Sequence, residues 1–148
     1  MTEEEKQLLL IELCARLPYG VKCKIDFDSL LKTFSEYEVN LLYSGVAPNV
    51  DLRTRIGERV YTLFGVPTKH RLSFLELDGF FDEYGVPVEC VKPCLRPIHK
   101  LTKEELEELE FLTDSDYVDY CNEHHIDYRN LIPKGLALEA KEGMYKNG

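Results

Sequence analysis

Apolar positions change their spacing twice along this chain, and each change marks a change of predicted structure. In residues 1–18 the spacing is helical. Leu9, Leu10, Leu13 and Leu17 form a stripe, which Ile11, Cys14 and Ala15 widen. Thr2 and Glu5 stand three apart as a capping box, with Glu3 to Glu5 at the positive end of the helix dipole. Leu17-Pro18 ends the helix and Tyr19-Gly20 turns the chain. From residue 21 the period shortens to two. Val21, Cys23, Ile25 and Phe27 alternate with Lys22, Lys24 and Asp26, the pattern of a half-buried strand.

Residues 30–34 and 39–43 read as further strands. Residues 51–56 and 59–64 read as a hairpin about Gly57-Glu58, which Gly65-Val66-Pro67 breaks. Residues 72–77 read as another strand, and Phe80 and Phe81 as core. Pro87, Pro93 and Pro97 then forbid a helix and fix the path onward. Val86-Pro87-Val88-Glu89-Cys90-Val91 looks like the closing turn of Src-homology-3-like barrels, where a proline and a short helical turn lead into the last strand.

Helical spacing returns after residue 98. Thr102 and Glu105 form a second capping box, with Leu106, Leu109 and Leu112 on one edge and Glu104, Glu107, Glu108 and Glu110 on the other. Thr113-Asp114-Ser115 stops that helix and caps the next, which carries Tyr117, Val118, Tyr120 and Cys121. Asp127 caps a short turn through Ile132, and residues 136–140 read as a short strand or docked extended segment. The fold expected is one α+β domain. Residues 1–18 are its helix, 19–97 a small antiparallel Src-homology-3-like barrel or rolled sheet, and 98–148 two or three short helices.

A chain of 148 residues buries about 70% of its unfolded surface, enough for a real core. Its charge is uneven. Residues 1–100 hold 13 basic and 15 acidic groups, a net of −2, whereas residues 101–148 hold 5 and 12, a net of −7. The acidic third repels phosphate backbones, so any nucleic-acid surface belongs to the first part. Five cysteines without a Cys-x-x-Cys motif, an acidic start and no long apolar run give the expectation of a reducing cytoplasm with free thiols and no membrane partner.

Four constellations carry candidate chemistry. Cys90, Cys94 and His99, with Cys121 and His124, offer zinc-type ligands; the Cys121-x2-His124 spacing is acceptable, but the first cluster lacks the tight knuckle of a zinc ribbon, and no metal or other cofactor is expected. His124, His125, Asp127 and Arg129 lie within six residues and would supply a base, an orienting acid and an anion holder. No nucleophile motif or phosphate-cradling glycine loop accompanies them, so catalysis is not expected. Arg53, Arg55, Arg59, Lys69, His70 and Arg71 cluster near Tyr61 and Phe64, the basic-plus-aromatic composition that binds single strands. Lys92, Arg96 and Lys100 either extend that patch or pair with the acidic helix that follows. Nine tyrosines and seven phenylalanines without tryptophan fit a protein interface, with the helix after Thr102 facing a basic partner.

Three pieces, in this order, carry a resemblance. They are Ala15-Arg16-Leu17-Pro18-Tyr19-Gly20-Val21-Lys22, then Val91-Lys92-Pro93-Cys94-Leu95-Arg96-Pro97, then the segment from His124-His125-Ile126-Asp127-Tyr128 through Lys134-Gly135-Leu136-Ala137-Leu138-Glu139-Ala140. The chain resembles a group of short uncharacterised proteins of gut Bacteroidales bacteria and their phages or mobile elements. The resemblance implies no activity. The group carries an aromatic residue where this chain has Cys94, which argues against an essential thiol there. The function expected is a non-catalytic cytoplasmic protein–protein interaction module, of phage or mobile-element origin. The alternative is a nucleic-acid-binding small barrel using Arg53, Arg55, Arg59, Tyr61 and Arg71.

Overall fold

A computed structural model describes residues 1–33, 60–68, 71–74 and 86–145. The expected strands at 39–43 and 51–56, the Gly57-Glu58 turn, Phe80 and Phe81 lie outside the described residues, as do Arg53, Arg55, Arg59, Lys69 and His70. The structure is mixed helix and sheet, with a helix at its N-terminus. It divides after Lys92 into two compact units, Met1–Lys92 and Pro93–Gly148.

The first unit opens with α1, Glu3–Arg16, capped by the expected Thr2–Glu5 box. Leu9 and Leu13 are fully buried, and the helix packs on β2 (Tyr61–Thr68) and on the 3-10 turn Val88–Cys90. The buried face does not widen as the leucine spacing implies. Ile11 is 56% exposed and Cys14 is exposed, while Glu12 and Arg16 are buried one turn apart as an ion pair. Each neutralises the other, so two charged residues occupy a face that their composition alone assigns to water. Leu17-Pro18-Tyr19 then forms a 3-10 turn, and Gly20 takes a left-handed conformation (φ 67°) that favours glycine.

β1, Lys22–Ile25, buries Cys23 and Ile25 as the alternation requires. The segment after it is not a strand. It is helix α2, Phe27–Thr33. Asp26 ends the alternation, because its carboxylate accepts the Asp28 and Ser29 backbone N–H groups (3.1 and 3.4 Å) and the Ser29 hydroxyl (2.9 Å). That is a helix-start device rather than a strand residue's exposed carboxylate.

β2 pairs antiparallel with β1 (Cys23 opposite Tyr61) and with β3, Arg71–Phe74 (Leu63 opposite Phe74). It runs through Gly65-Val66-Pro67 instead of breaking there. The register shifts between Phe64 and Thr68, and such an irregularity accommodates a residue that lacks an N–H. β4, Val86–Pro87, pairs with β3 (Leu72 opposite Val86). The sheet order is β4-β3-β2-β1, and among the described residues no pairing joins β4 back to β1. The proline-led turn appears where the sequence placed it, as Val88–Cys90 leading into β5, Val91–Leu95.

In the second unit β5 pairs in parallel with β6, Leu138–Glu139, matching Cys94 with Leu138 and Leu95 with Glu139. Arg96 continues the pairing with Ile126: the Arg96 N–H donates to the His125 carbonyl (2.8 Å), and the Asp127 N–H donates to the Arg96 carbonyl (2.9 Å). Helix α3, Lys103–Glu110, starts at the Thr102–Glu105 box, and helix α4, Asp114–Glu123, starts at Thr113. Leu101, Leu109, Cys121 and Ile126 form the core between them, with Tyr117, Tyr120 and Tyr128 packed on it. Among the described residues no helix is long and apolar enough to cross a membrane.

Candidate functional site

The second unit holds a half-open cleft of about 980 Å³, within the size range of ligand sites. Its framework is tied together by one side chain, that of Arg96. β5 ends at Leu95 and delivers Arg96. The Arg96 Nη2 group donates to both Glu105 carboxylate oxygens (2.7 and 2.8 Å), and Nη1 donates to the His124 carbonyl (3.4 Å). One planar guanidinium thus ties the end of β5 to the first turn of α3 and the last of α4. Glu105 also accepts from the Thr102 backbone N–H and hydroxyl (both 3.2 Å), so the carboxylate that closes the capping box holds the arginine too.

Partial burial pushes the Glu105 carboxyl upward, but the Arg96 and Thr102 hydrogen bonds and the Arg96 charge outweigh it and hold the group below its ordinary value. A depressed carboxyl contributes stability above its ordinary value and loses it as pH falls through the folded one. Glu105→Gln is therefore expected to lower stability at neutral pH by about 1–2 kcal/mol, the scale of a charge-assisted hydrogen bond. Urea unfolding of both proteins across an acid series checks this: the difference closes as pH falls.

The cleft has an aromatic wall. The Tyr120 and His124 ring centroids lie 4.2 Å apart at 36°, and the Tyr120 hydroxyl donates to Glu108 (2.8 Å). Burial, then the Glu108 carboxylate, pushes the Tyr120 phenol up to about 12, so it is a neutral donor at any ordinary pH. Tyr145, also in the lining, lies stacked on His125 (3.9 Å, 21°) and donates to the Cys94 carbonyl (2.6 Å). Within the lining Lys100 pairs with Glu139, both substantially exposed.

The four-residue polar cluster read from the sequence separates in space. His124 lines the cleft, and the other three do not. His125 is buried behind Tyr145 with a left-handed backbone (φ 58°). Asp127 accepts the backbone N–H groups of Leu131 (2.8 Å) and Ile132 (2.9 Å), so it caps the following turn and orients no histidine. Arg129 is exposed and lies on its neighbour Tyr128. Cys90, Cys94 and Cys121 are buried, and among the described residues no three His, Cys, Asp or Glu side chains come together as a metal site. Of the basic candidates, Tyr61 is 0% exposed, and a ring with no free face is no platform for a base. Arg71 stands in β3 opposite Thr68 and Pro87. Arg96 does pair with the acidic helix, one of the two roles open to it in the sequence.

A second surface feature lies on α3 and α4. Phe111, at the C-terminus of α3, is 87% exposed. Between Leu101 and Glu123 there are nine acidic residues and one basic residue, Lys103. Glu104, Glu107, Glu110, Asp114, Asp116 and Asp119 are exposed, and none is in an ion pair among the described residues. The acidic edge was visible in the leucine spacing; the uncovered Phe111 was not, because an apolar residue after a leucine stripe reads as core. Compared with known protein families, curated proteins and solved structures, the chain matches none.

Proposed function

We propose that the protein is a non-catalytic interaction module that docks a cationic protein partner on the α3–α4 face, in the cytoplasm and in a phage or mobile-element setting. The observation that carries this reading is Phe111, an aromatic side chain 87% exposed among carboxylates that no described cation neutralises. Burying a phenylalanine is worth about 1.5–3 kcal/mol, so a partner that covers Phe111 gains apolar contact. Carboxylates around that anchor favour lysine- or arginine-rich partners and reject nucleic acid. The cleft's own ion pairs, Arg96 with Glu105 and Lys100 with Glu139, support a binding rather than a catalytic part for this unit. The barrel reading of the first unit belongs with this proposal; its antiparallel strand order and the turn at Val88–Cys90 support it.

The test is Phe111→Ser with a lysine-rich amphipathic peptide as probe. Loss of an aromatic anchor is expected to weaken binding about 30-fold, the scale of an interface hot spot. Urea unfolding is expected to be nearly unchanged, because the side chain stands in solvent. Equal affinity for wild type and variant overturns the reading.

A further inference from the structure

The cleft asks for a different ligand from the one that suits the acidic face. Its charged lining is balanced: Arg96, Lys100 and Lys141 against Glu105, Glu139 and Glu142. The two ion pairs within it differ in firmness. Arg96–Glu105 is a two-pronged contact with side chains 23% and 18% exposed, fixed further by Thr102 and the His124 carbonyl. Lys100–Glu139 is 62% and 40% exposed, and an ion pair so open to water contributes little. Exchanging it for contacts to a ligand therefore costs little, provided that the ligand brings one charge of each sign. A lone anion on Lys100 meets the Glu139 carboxylate beside it, and a lone cation on Glu139 meets the Lys100 ammonium. Both cases place like charges together. The same cleft is lined by the packed Tyr120 and His124 rings, the phenol being held by Glu108, and aromatic rings of this kind suit a flat group.

We propose that this cleft binds a small zwitterion with a flat ring, an aromatic amino acid or a short peptide with free ends. Its carboxylate lies on Lys100, its ammonium on Glu139, and its ring against Tyr120 and His124. The inference does not rest on the docking of a cationic protein, since it uses other residues and another probe.

The protein contains no tryptophan, so indole fluorescence reports the ligand alone. The test titrates the full chain into four probes: tryptophan (a zwitterion), Gly-Trp-Gly with free ends, tryptamine (a cation) and indole-3-acetate (an anion). At least one zwitterion is expected to bind about tenfold more tightly than either singly charged indole, one full charge contact being worth about that factor. Tryptophan against Gly-Trp-Gly identifies an amino acid or a peptide. Lys100→Gln and Glu139→Gln are each expected to erase the preference while leaving urea unfolding unchanged, and Tyr120→Leu to weaken all four probes together. Equal affinity for the charged and zwitterionic indoles, an unchanged preference in both glutamine variants, or no binding at millimolar probe overturns the proposal. None of these outcomes depends on Phe111.

Discussion

Arg16→Ala is expected to destabilise the first unit by about 3–5 kcal/mol, one of the two largest effects of a single substitution in this protein. Arg16 and Glu12 are 1% exposed and lie on the face of α1 that also buries Leu9 and Leu13. Removing the guanidinium takes from the buried Glu12 carboxylate its charged partner one turn away. Glu12→Ala takes from the buried Arg16 guanidinium its charged partner in the same way. Replacing both together, as Glu12→Leu with Arg16→Met, removes both charges at once, and such exchanges are often neutral or stabilising. Urea midpoints of the four proteins decide it. Two large single losses with a double variant near wild type are expected. Additive losses would mean that the side chains act by volume rather than by charge.

The second large effect belongs to Asp127. Its two oxygens accept the Leu131 and Ile132 N–H groups, and Leu131 is fully buried. Asp127→Ala leaves both donors without their acceptor, at about 1–3 kcal/mol for each buried group. Asp127→Asn keeps one acceptor oxygen and is expected to recover part of the loss. Amide hydrogen exchange reads this locally: the Leu131 and Ile132 amides, slow in wild type, become fast in the alanine variant and intermediate in asparagine. Unchanged exchange at both amides would contradict the capping role.

Much of the second unit was legible because its devices are local. Thr102, Thr113 and Asp127 each act within five residues of themselves, so a hydroxyl or carboxylate ahead of a run of N–H groups identifies them. The alternation in β1 was equally plain. It misled one residue later, where Asp26 looks like the next outward strand position and instead starts α2. Pro67 reads as a breaker, yet β2 passes it where the register slips. Glu12 and Arg16 read as solvent-facing because the type of each residue hides that they meet one turn apart.

The site was only part legible for a related reason. His124 stood out by composition, but its neighbours in the cleft come from Arg96, Glu105, Tyr120 and Tyr145. Only strand pairing and helix packing bring those together, and local spacing carries no record of them. Of the residues beside His124 in sequence, Asp127 caps the following turn, His125 stacks on Tyr145 and Arg129 lies on Tyr128.

The most direct test of the account is a binding titration of the full chain against a labelled lysine-rich amphipathic peptide and, in parallel, labelled single-stranded DNA, at low and high salt. The account predicts that the peptide binds, that salt weakens it, that Phe111→Ser weakens it about 30-fold, and that the DNA does not bind. DNA binding that falls steeply with salt and is lost in Arg53→Glu or Arg55→Glu, with no response of either probe to Phe111→Ser, would contradict it and move the function to the basic first part of the chain.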